Sequence, residues 1–340
     1  MTMGEAAAAT RPFPTAGPLP AGLALRHLRD PDDYPAMNAI ANAIRTAQGD
    51  NFSTTDEQFA KFYDNLSRCD PVTDVAIAEI AGQVAGYGRA AWHEELDGTR
   101  IYEVIPFVDP KVAGQDVFTA MIDAIEARAR AIAADHPPAT KLLETFGGDL
   151  APERDALLKA AGYEAVRFFY AMVRPSVDDL PDAPLPPGLE IREVLPEHLP
   201  AIWAADQEAF RDHWGYTPAT DADYQVFVSD PVMGDTSLWR VAWDGDEVAG
   251  QVRSYISTEE NERHGRLRGY TEHISVRRPW RRRGLARALI AASFPLLRAR
   301  GMTEAALGVD TENTSGALRV YEGCGFRPVS RSATYRKPIP

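Results

Sequence analysis

The feature that most constrains this chain is an internal repeat. Gly22 opens GLALRHL and Gly188 opens GLEIREV, 166 positions apart. AEIAGQVAGYGR from Ala78 matches AWDGDEVAGQVR from Ala242 at a spacing of 164, so that Arg89 answers Arg253. Near the ends, AAGYEAVRFFYAMVRP from Ala160 mirrors GCGFRPVSRSATYRKP from Gly323 at 163. A repeat this long is a whole domain, and 340 residues suffice for two. Between the copies, Pro175–Gly188 holds five prolines and reads as an extended linker. The expected organisation is a tail over 1–20, a first domain over 21–174, a linker over 175–187 and a second domain over 188–340.

Within each copy the hydrophobic period switches from 2 to 3.6 and back. In the second copy, Leu238–Trp243 and Val248–Ile256 alternate around Asp244-Gly245, a hairpin signal, and Tyr270–Val276 follows as a third strand. Leu285, Ala288, Leu289, Ala292, Leu296 and Leu297 recur at helical spacing, and Gly301 suits the helix C-terminus. Ala305–Val309 is strand, Thr314–Gly323 helix and Gly325–Tyr335 strand. The order implies an α/β fold: two tandem domains, each a mixed central sheet flanked by helices, with a parallel crossover.

Charge and composition narrow the function. The net charge of −13 argues against a nucleic-acid partner, which needs a basic face to displace phosphate counterions, and fits a cationic small molecule such as an amine. No apolar run approaches a membrane span, and the Ala- and Pro-rich N-terminus lacks the pattern of a signal peptide. Two cysteines, Cys69 and Cys324, give neither a disulfide framework nor a metal-ligand spacing, so no metal is expected and a reduced, cytoplasmic setting fits best. A monomer or a homodimer is equally compatible.

The chemistry lies in Glu272-His-Ile-Ser-Val-Arg-Arg-Pro-Trp-Arg-Arg-Arg-Gly-Leu-Ala286. A strand ends at Val276, a short loop turns, and Gly284-Leu285-Ala286 opens a helix. The first-turn N–H groups and the helix dipole make an anion site suited to a pyrophosphate, which small residues let approach. Arg281, Arg282 and Arg283 surround it with positive charge.

The segment resembles the GNAT superfamily of acetyl-CoA-dependent acyltransferases, in its tandem-domain type. The family motif Q/R-x-x-G-x-G/A is filled by Arg281, Gly284 and Ala286, and Asn313 and Tyr321-Glu-Gly-Cys-Gly-Phe326 stand where the family has a cofactor-contacting Asn and a Y-E-x-x-G-F segment. The resemblance implies acetyl-CoA as donor, bound by Ile274, Ser275, Val276, Arg281, Arg282, Arg283, Gly284, Leu285, Ala286 and Asn313. It implies Tyr321 as the acid that protonates the leaving thiolate and Glu272 as the base for the acceptor amine, with direct attack in a ternary complex. Four positions apart, Glu272 and Val276 are expected on one strand face, and His273 on the other. Asp212, His213, Trp214 and Tyr216 stand where the family binds its acceptor, here expected to be a small-molecule amine.

The first copy departs from this pattern. Aligning Val108 with Val276 sets Asp116 in place of Gly284, an anion where the pyrophosphate belongs, and Leu158 in place of Tyr321. That half is expected to be degenerate. The competing reading of the whole is a non-catalytic acyl-CoA-binding or regulatory protein, and a weaker one is nucleic-acid binding through RRPWRRR. For Glu272 the competing role is a strand carboxylate paired with Arg253 or Arg268, and the non-catalytic reading is favoured if Tyr321 and Glu272 do not face the cofactor sulfur.

Overall fold

A computed structural model describes residues 12–340 except 16, 49–52, 113, 180–181, 231 and 314. The chain divides into two compact units: residues 1–166 with 333–340, and residues 167–332. This division differs from the expected boundaries. The proline-rich segment goes with the second unit, as does Arg167–Arg174, while the last eight residues go with the first. Side chains explain the latter. Arg336 pairs with Glu144 at 2.7 Å and also with Glu95, Lys337 with Glu126 at 3.0 Å, and the Ile339 N–H donates to the Lys141 carbonyl at 2.9 Å.

In the first unit, strands β1 (Leu23–His27), β2 (Val75–Ile80), β3 (Gln83–Glu94), β4 (Arg100–Val108) and β5 (Lys141–Gly148) lie side by side in that order. Neighbours are antiparallel except β4 and β5, which run parallel because helix α4 (Gln115–Ala134) carries the chain back. The helices α1 (Tyr34–Ala47), α2 (Asp56–Asp64) and α3 (Pro71–Asp74) fall between β1 and β2, and α5 (Pro152–Ala160) follows β5. Tyr34, Met37, Phe59, Tyr63 and Tyr87 form an aromatic core under α1 and α2.

The second unit repeats the plan. Strand β6 contributes Arg167–Arg174, and β7 is Glu190–Arg192, β8 Trp239–Asp244, β9 Glu247–Tyr255, β10 Arg268–Val276 and β11 Glu304–Asp310. Their order is β7-β8-β9-β10-β11-β6, with only β10 and β11 parallel. The helices are α6 (Leu199–Phe210), α7 (Asp221–Ser229), α8 (Thr258–His264), α9 (Leu285–Ala299) and α10 (Ala317–Gly323). The hairpin turn and the helix end read from sequence stand as expected. Gly245 and Gly301 take the left-handed φ (+57° and +81°), and the Met302 N–H closes α9 on the Leu297 carbonyl at 3.0 Å.

Alternation along β9 assigns the two faces. A side chain at Gly250 would meet Leu285 of α9, whereas the neighbouring Gln251 and then Arg253 reach Asp206 of α6. On the α9 face, Leu285, Leu289, Phe294 and Leu297 pack on Val252, Leu307 and Phe326. On the α6 face, Ile202 and Ala205 pack with Trp239, Val241 and Trp243. No described helix is long and apolar enough to cross a membrane.

Candidate active site

The site begins with a β-bulge. Arg253 faces Glu272 and Gln251 faces Ser275, so His273 and Ile274 together oppose the single residue Val252. His273 takes a left-handed φ of +46°, a conformation that costs a non-glycine residue of order 1 kcal/mol and that concentrates at functional sites. The extra residue reverses the alternation beyond it. Glu272 faces α6 with Arg253, whereas Val276, opposite Gly250, faces α9. The expectation that Glu272 and Val276 share a face is therefore corrected by the bulge. His273 is corrected likewise: it turns toward α6, with Nδ1 3.5 Å from an Asp206 carboxylate oxygen and its ring beside Phe210.

On its other side β10 parts from β11 just before the bulge. β10 and β11 pair only from Arg268–Glu304 to Tyr270–Ala306, and past that level the Gly308 N–H donates instead to Glu272 Oε1 at 2.9 Å. Glu272 is half-buried, with protein crowded around its carboxylate. Arg253 pairs with Asp206 at 3.2 Å and Arg268 with Glu304 at 2.7 Å, and among the described residues no cation pairs with Glu272. Desolvation accordingly raises its pKa to about 7, opposed only by the Gly308 N–H. Tyr321 of α10 is buried, and burial first and the Glu272 charge second push its hydroxyl well above the usual range. Cys324, also buried, has its thiol pushed up by desolvation, which makes it a packing residue.

The anion loop comes next along the chain. Gly284 caps α9 with a left-handed φ of +85° and no side-chain acceptor, leaving the first-turn N–H groups to whatever approaches. Gly284 is exposed, with no atom within 4 Å of the place a Cβ would take, so the cradle is open. Leu285 is buried beneath it and Ala286 half-buried. Arg282 is exposed, at a φ of +61°. Arg283, also exposed, donates to the Pro187 carbonyl at 3.3 Å. Arg281 is a strut. Its Nε donates to the Val276 carbonyl (2.9 Å), and its terminal nitrogens reach Asp212 (3.0 Å) and the Ala209 carbonyl (3.1 Å).

The acceptor candidates divide. Asp212 belongs to the loop: hydrogen bonds from Arg278 first and Arg281 second hold its pKa down to about 2. His213 lies inward, its Nε2 3.5 Å from Asn313 Nδ2, and burial lowers its pKa. Asn313 caps its own turn through the Ser315 N–H at 2.8 Å. Arg167 sits 5.6 Å over the Trp214 ring and forks onto Asp310 at 2.6 and 2.8 Å. The Tyr216 hydroxyl reaches Gln207 at 3.4 Å. Thus the loop 210–216 borders the parted strands.

Sequence reasoning missed Asp206. This buried carboxylate accepts from Gln251 (2.8 Å), Arg253 (3.2 Å) and Ser275 (3.3 Å), and so ties α6 to both sides of the bulge. Its signal was an acid on the apolar face of α6, between Ile202 and Ala209. Of the remaining donor-site residues, Ile274 sits in the bulge and Ser275 is buried against Asp206.

The first unit differs at each of these points. β4 keeps unbroken register with β3 from Arg100–Glu94 to Val108–Gly86. The paired residue of Arg89, the counterpart of Arg253, is Ile105, so an isoleucine stands where Glu272 does. The residue capping α4 is Gly114, with an extended φ of −115°, and Asp116 comes two positions later in the first turn. The expected one-for-one replacement of Gly284 by Asp116 is corrected accordingly, although an anion still occupies that helix start. Leu158 does match Tyr321: the Tyr163 N–H bonds the Leu158 carbonyl as the Phe326 N–H bonds that of Tyr321 (3.0 and 3.1 Å).

Residues 199–326 match the model of the acetyltransferase (GNAT) family. Fold and match together define the class of the second unit, which carries a GNAT acetyltransferase domain. Among named relatives, the mycothiol acetyltransferase of Salinispora arenicola is 29% identical over 270 residues, covering 78% of this chain and 82% of the relative. Among solved structures, a GCN5-related N-acetyltransferase from Sphaerobacter thermophilus superposes with a TM-score of 0.71 at 24% identity, over 94% of this chain and 97% of that one. A tandem GNAT protein from the clavulanic acid biosynthesis pathway gives 0.63 at 16%, over 94% and 99%.

Proposed function

We propose that the second unit moves an acetyl group from acetyl-CoA to the amine of a small molecule, by direct attack while donor and acceptor are bound together. The observation that carries this reading is Glu272: a carboxylate without a cationic partner among the described residues, titrating near neutrality beside the protonated hydroxyl of Tyr321. A general base is most effective when its pKa lies near the working pH, and burial has tuned Glu272 there.

The donor fits the residues present. Open space over Gly284 and the uncapped first turn of α9 suit a diphosphate, with Arg282 and Arg283 at its rim. When bound, acetyl-CoA supplies the activated thioester. Glu272 takes the proton from the acceptor ammonium, directly or through one water. The backbone of the bulge, near Ile274 and Ser275, lines the gap in which the thioester carbonyl is held as its oxygen gains charge. Tyr321, kept protonated by burial, gives its proton to the departing sulfur. His213, Trp214 and Tyr216 border the acceptor's approach. The first unit, with Ile105, Leu158 and Asp116 in these places and no bulge between β3 and β4, takes no part in catalysis.

For the acceptor, relatives named for mycothiol make a mycothiol-type amine the first to try. The test is release of CoA thiol from acetyl-CoA in the presence of that amine, by the wild-type protein and by Glu272→Gln. Amine-dependent release that falls in the variant supports the reading. Binding of CoA without amine-dependent release would favour the non-catalytic alternative.

A further inference from the structure

Gly308 is a glycine without a structural reason. It sits inside β11, between β10 and β6, yet it is exposed. Its φ lies outside the left-handed region, so the backbone does not require glycine. Packing does not require it either: a Cβ there would meet only Glu272 Oε1, at 3.8 Å, an ordinary contact. Glycine within a strand is destabilising relative to alanine, and it often marks a place where a ligand comes close.

The contact distance says which part of a ligand fits there. An amine nitrogen bonded to a carboxylate at about 2.8 Å carries its carbon roughly 3.6 Å from the oxygen. That nearly coincides with the 3.8 Å of the absent Cβ. Direction says which ligand. Leu307 packs toward α9, so Gly308 faces α6 with Glu272, on the opposite face from Gly250, Val276 and Leu285 below the anion loop. On that same face Tyr270, two residues before Glu272, stacks on Tyr255 with centroids 4.8 Å apart and planes 10° from parallel. Arg266 (3.2 Å) and Glu260 hold the Tyr270 hydroxyl, so this wall is fixed.

We infer that Gly308 sets acceptor specificity: the acceptor is a primary amine on a substituted carbon, and that carbon occupies the space a side chain at 308 would take, beside Glu272 on the face that carries the Tyr255–Tyr270 wall. The inference rests on Glu272 facing the acceptor amine, and the test separates the two claims. Methylamine, ethylamine and isopropylamine serve as acceptors at high concentration, with CoA release as the readout, for wild type, Gly308→Ala and Glu272→Gln.

The expected result is turnover of all three amines by wild type. In Gly308→Ala, kcat/KM for isopropylamine relative to methylamine falls at least tenfold, with acetyl-CoA Kd by calorimetry unchanged and a melting temperature no lower than wild type's. Unaltered amine selectivity in Gly308→Ala would overturn the inference. So would weakened acetyl-CoA binding with selectivity intact, which would give the space to the donor, or failure of wild type to use any of the three. If Glu272→Gln turns over normally while Gly308→Ala still discriminates, the base assignment fails and the acceptor space stands.

Discussion

The two units run the same strand pair in two registers, and the difference is one residue. In the first, three steps along β3 from Arg89 to Gly86 match three along β4, from Ile105 to Val108. In the second, three steps along β9 from Arg253 to Gly250 match four along β10, from Glu272 to Val276. The extra residue bends β10 and reverses the facing of the residues beyond it. Parallel pairing with the next strand covers four residue pairs in the first unit and three in the second. The comparison teaches that one strand plan can be built with this bulge or without it. The straight pair carries neither the left-handed residue nor a desolvated carboxylate, because Ile105 burial costs nothing of the kind that Glu272 burial does.

Changes that make the second unit resemble the first should abolish its function, the base first. Glu272→Gln should lower kcat/KM near neutral pH by on the order of 10²–10⁴-fold, with partial rescue at high pH, where more of the amine is free. Wild-type activity should rise with pH through about 7 as Glu272 deprotonates, and the variant should lack that limb. A wild-type rate and profile in Glu272→Gln would leave the carboxylate without a catalytic part. Tyr321→Phe, which mimics Leu158 in losing the hydroxyl, should reduce turnover by about 10²-fold while leaving CoA affinity intact, since only a transition-state interaction is lost. A weakened CoA Kd with unchanged kcat would reassign Tyr321 to binding.

Gly284→Val acts on two grounds, a left-handed φ and the space the diphosphate needs, and should weaken CoA binding at least tenfold by calorimetry. Unchanged affinity would mean that the diphosphate binds elsewhere.

A stability measurement sharpens the comparison from the other side. Glu272 has its folded pKa raised from 4.5 to about 7, so the folded state holds a proton that the unfolded chain has released, and this group's contribution declines as pH rises between those values. Glu272→Gln removes the burden. It should therefore stabilise the protein at pH 8 by up to about 2–3 kcal/mol and hardly at all at pH 4.5. Denaturation at the two pH values checks the sign, and equal effects at both would show that the carboxylate titrates normally. In Ile105, where no such group exists, Ile105→Val should show the same small destabilisation, about 0.5–1.5 kcal/mol, at either pH.

Much of this was legible in the sequence, for identifiable reasons. The repeat, the hairpin at Gly245 and the strand–loop–helix around Gly284 rest on local signals: hydrophobic period, turn residues and a small-residue helix start. The bulge does not, because nothing in the string Glu-His-Ile-Ser-Val requires a left-handed histidine. Register against β9 produces it, and strict alternation then misplaced both Val276 and His273. Asp206 and Gly308 escaped for the same reason. One is an acid on a helix and the other a glycine in a strand until the fold brings them to the bulge and to Glu272. Asp212 was grouped by neighbourhood with His213 and Trp214, but two arginines from a distant loop claim its carboxylate.

The most direct test of the division between the units is the stoichiometry of CoA binding. Isothermal titration of the full chain should give one site per chain in wild type and no comparably tight site in Gly284→Val, with Asp116→Gly still binding one. Two equivalent sites in wild type, or tight binding that survives in Gly284→Val, would contradict the account, because the donor would then be held by the first unit as well.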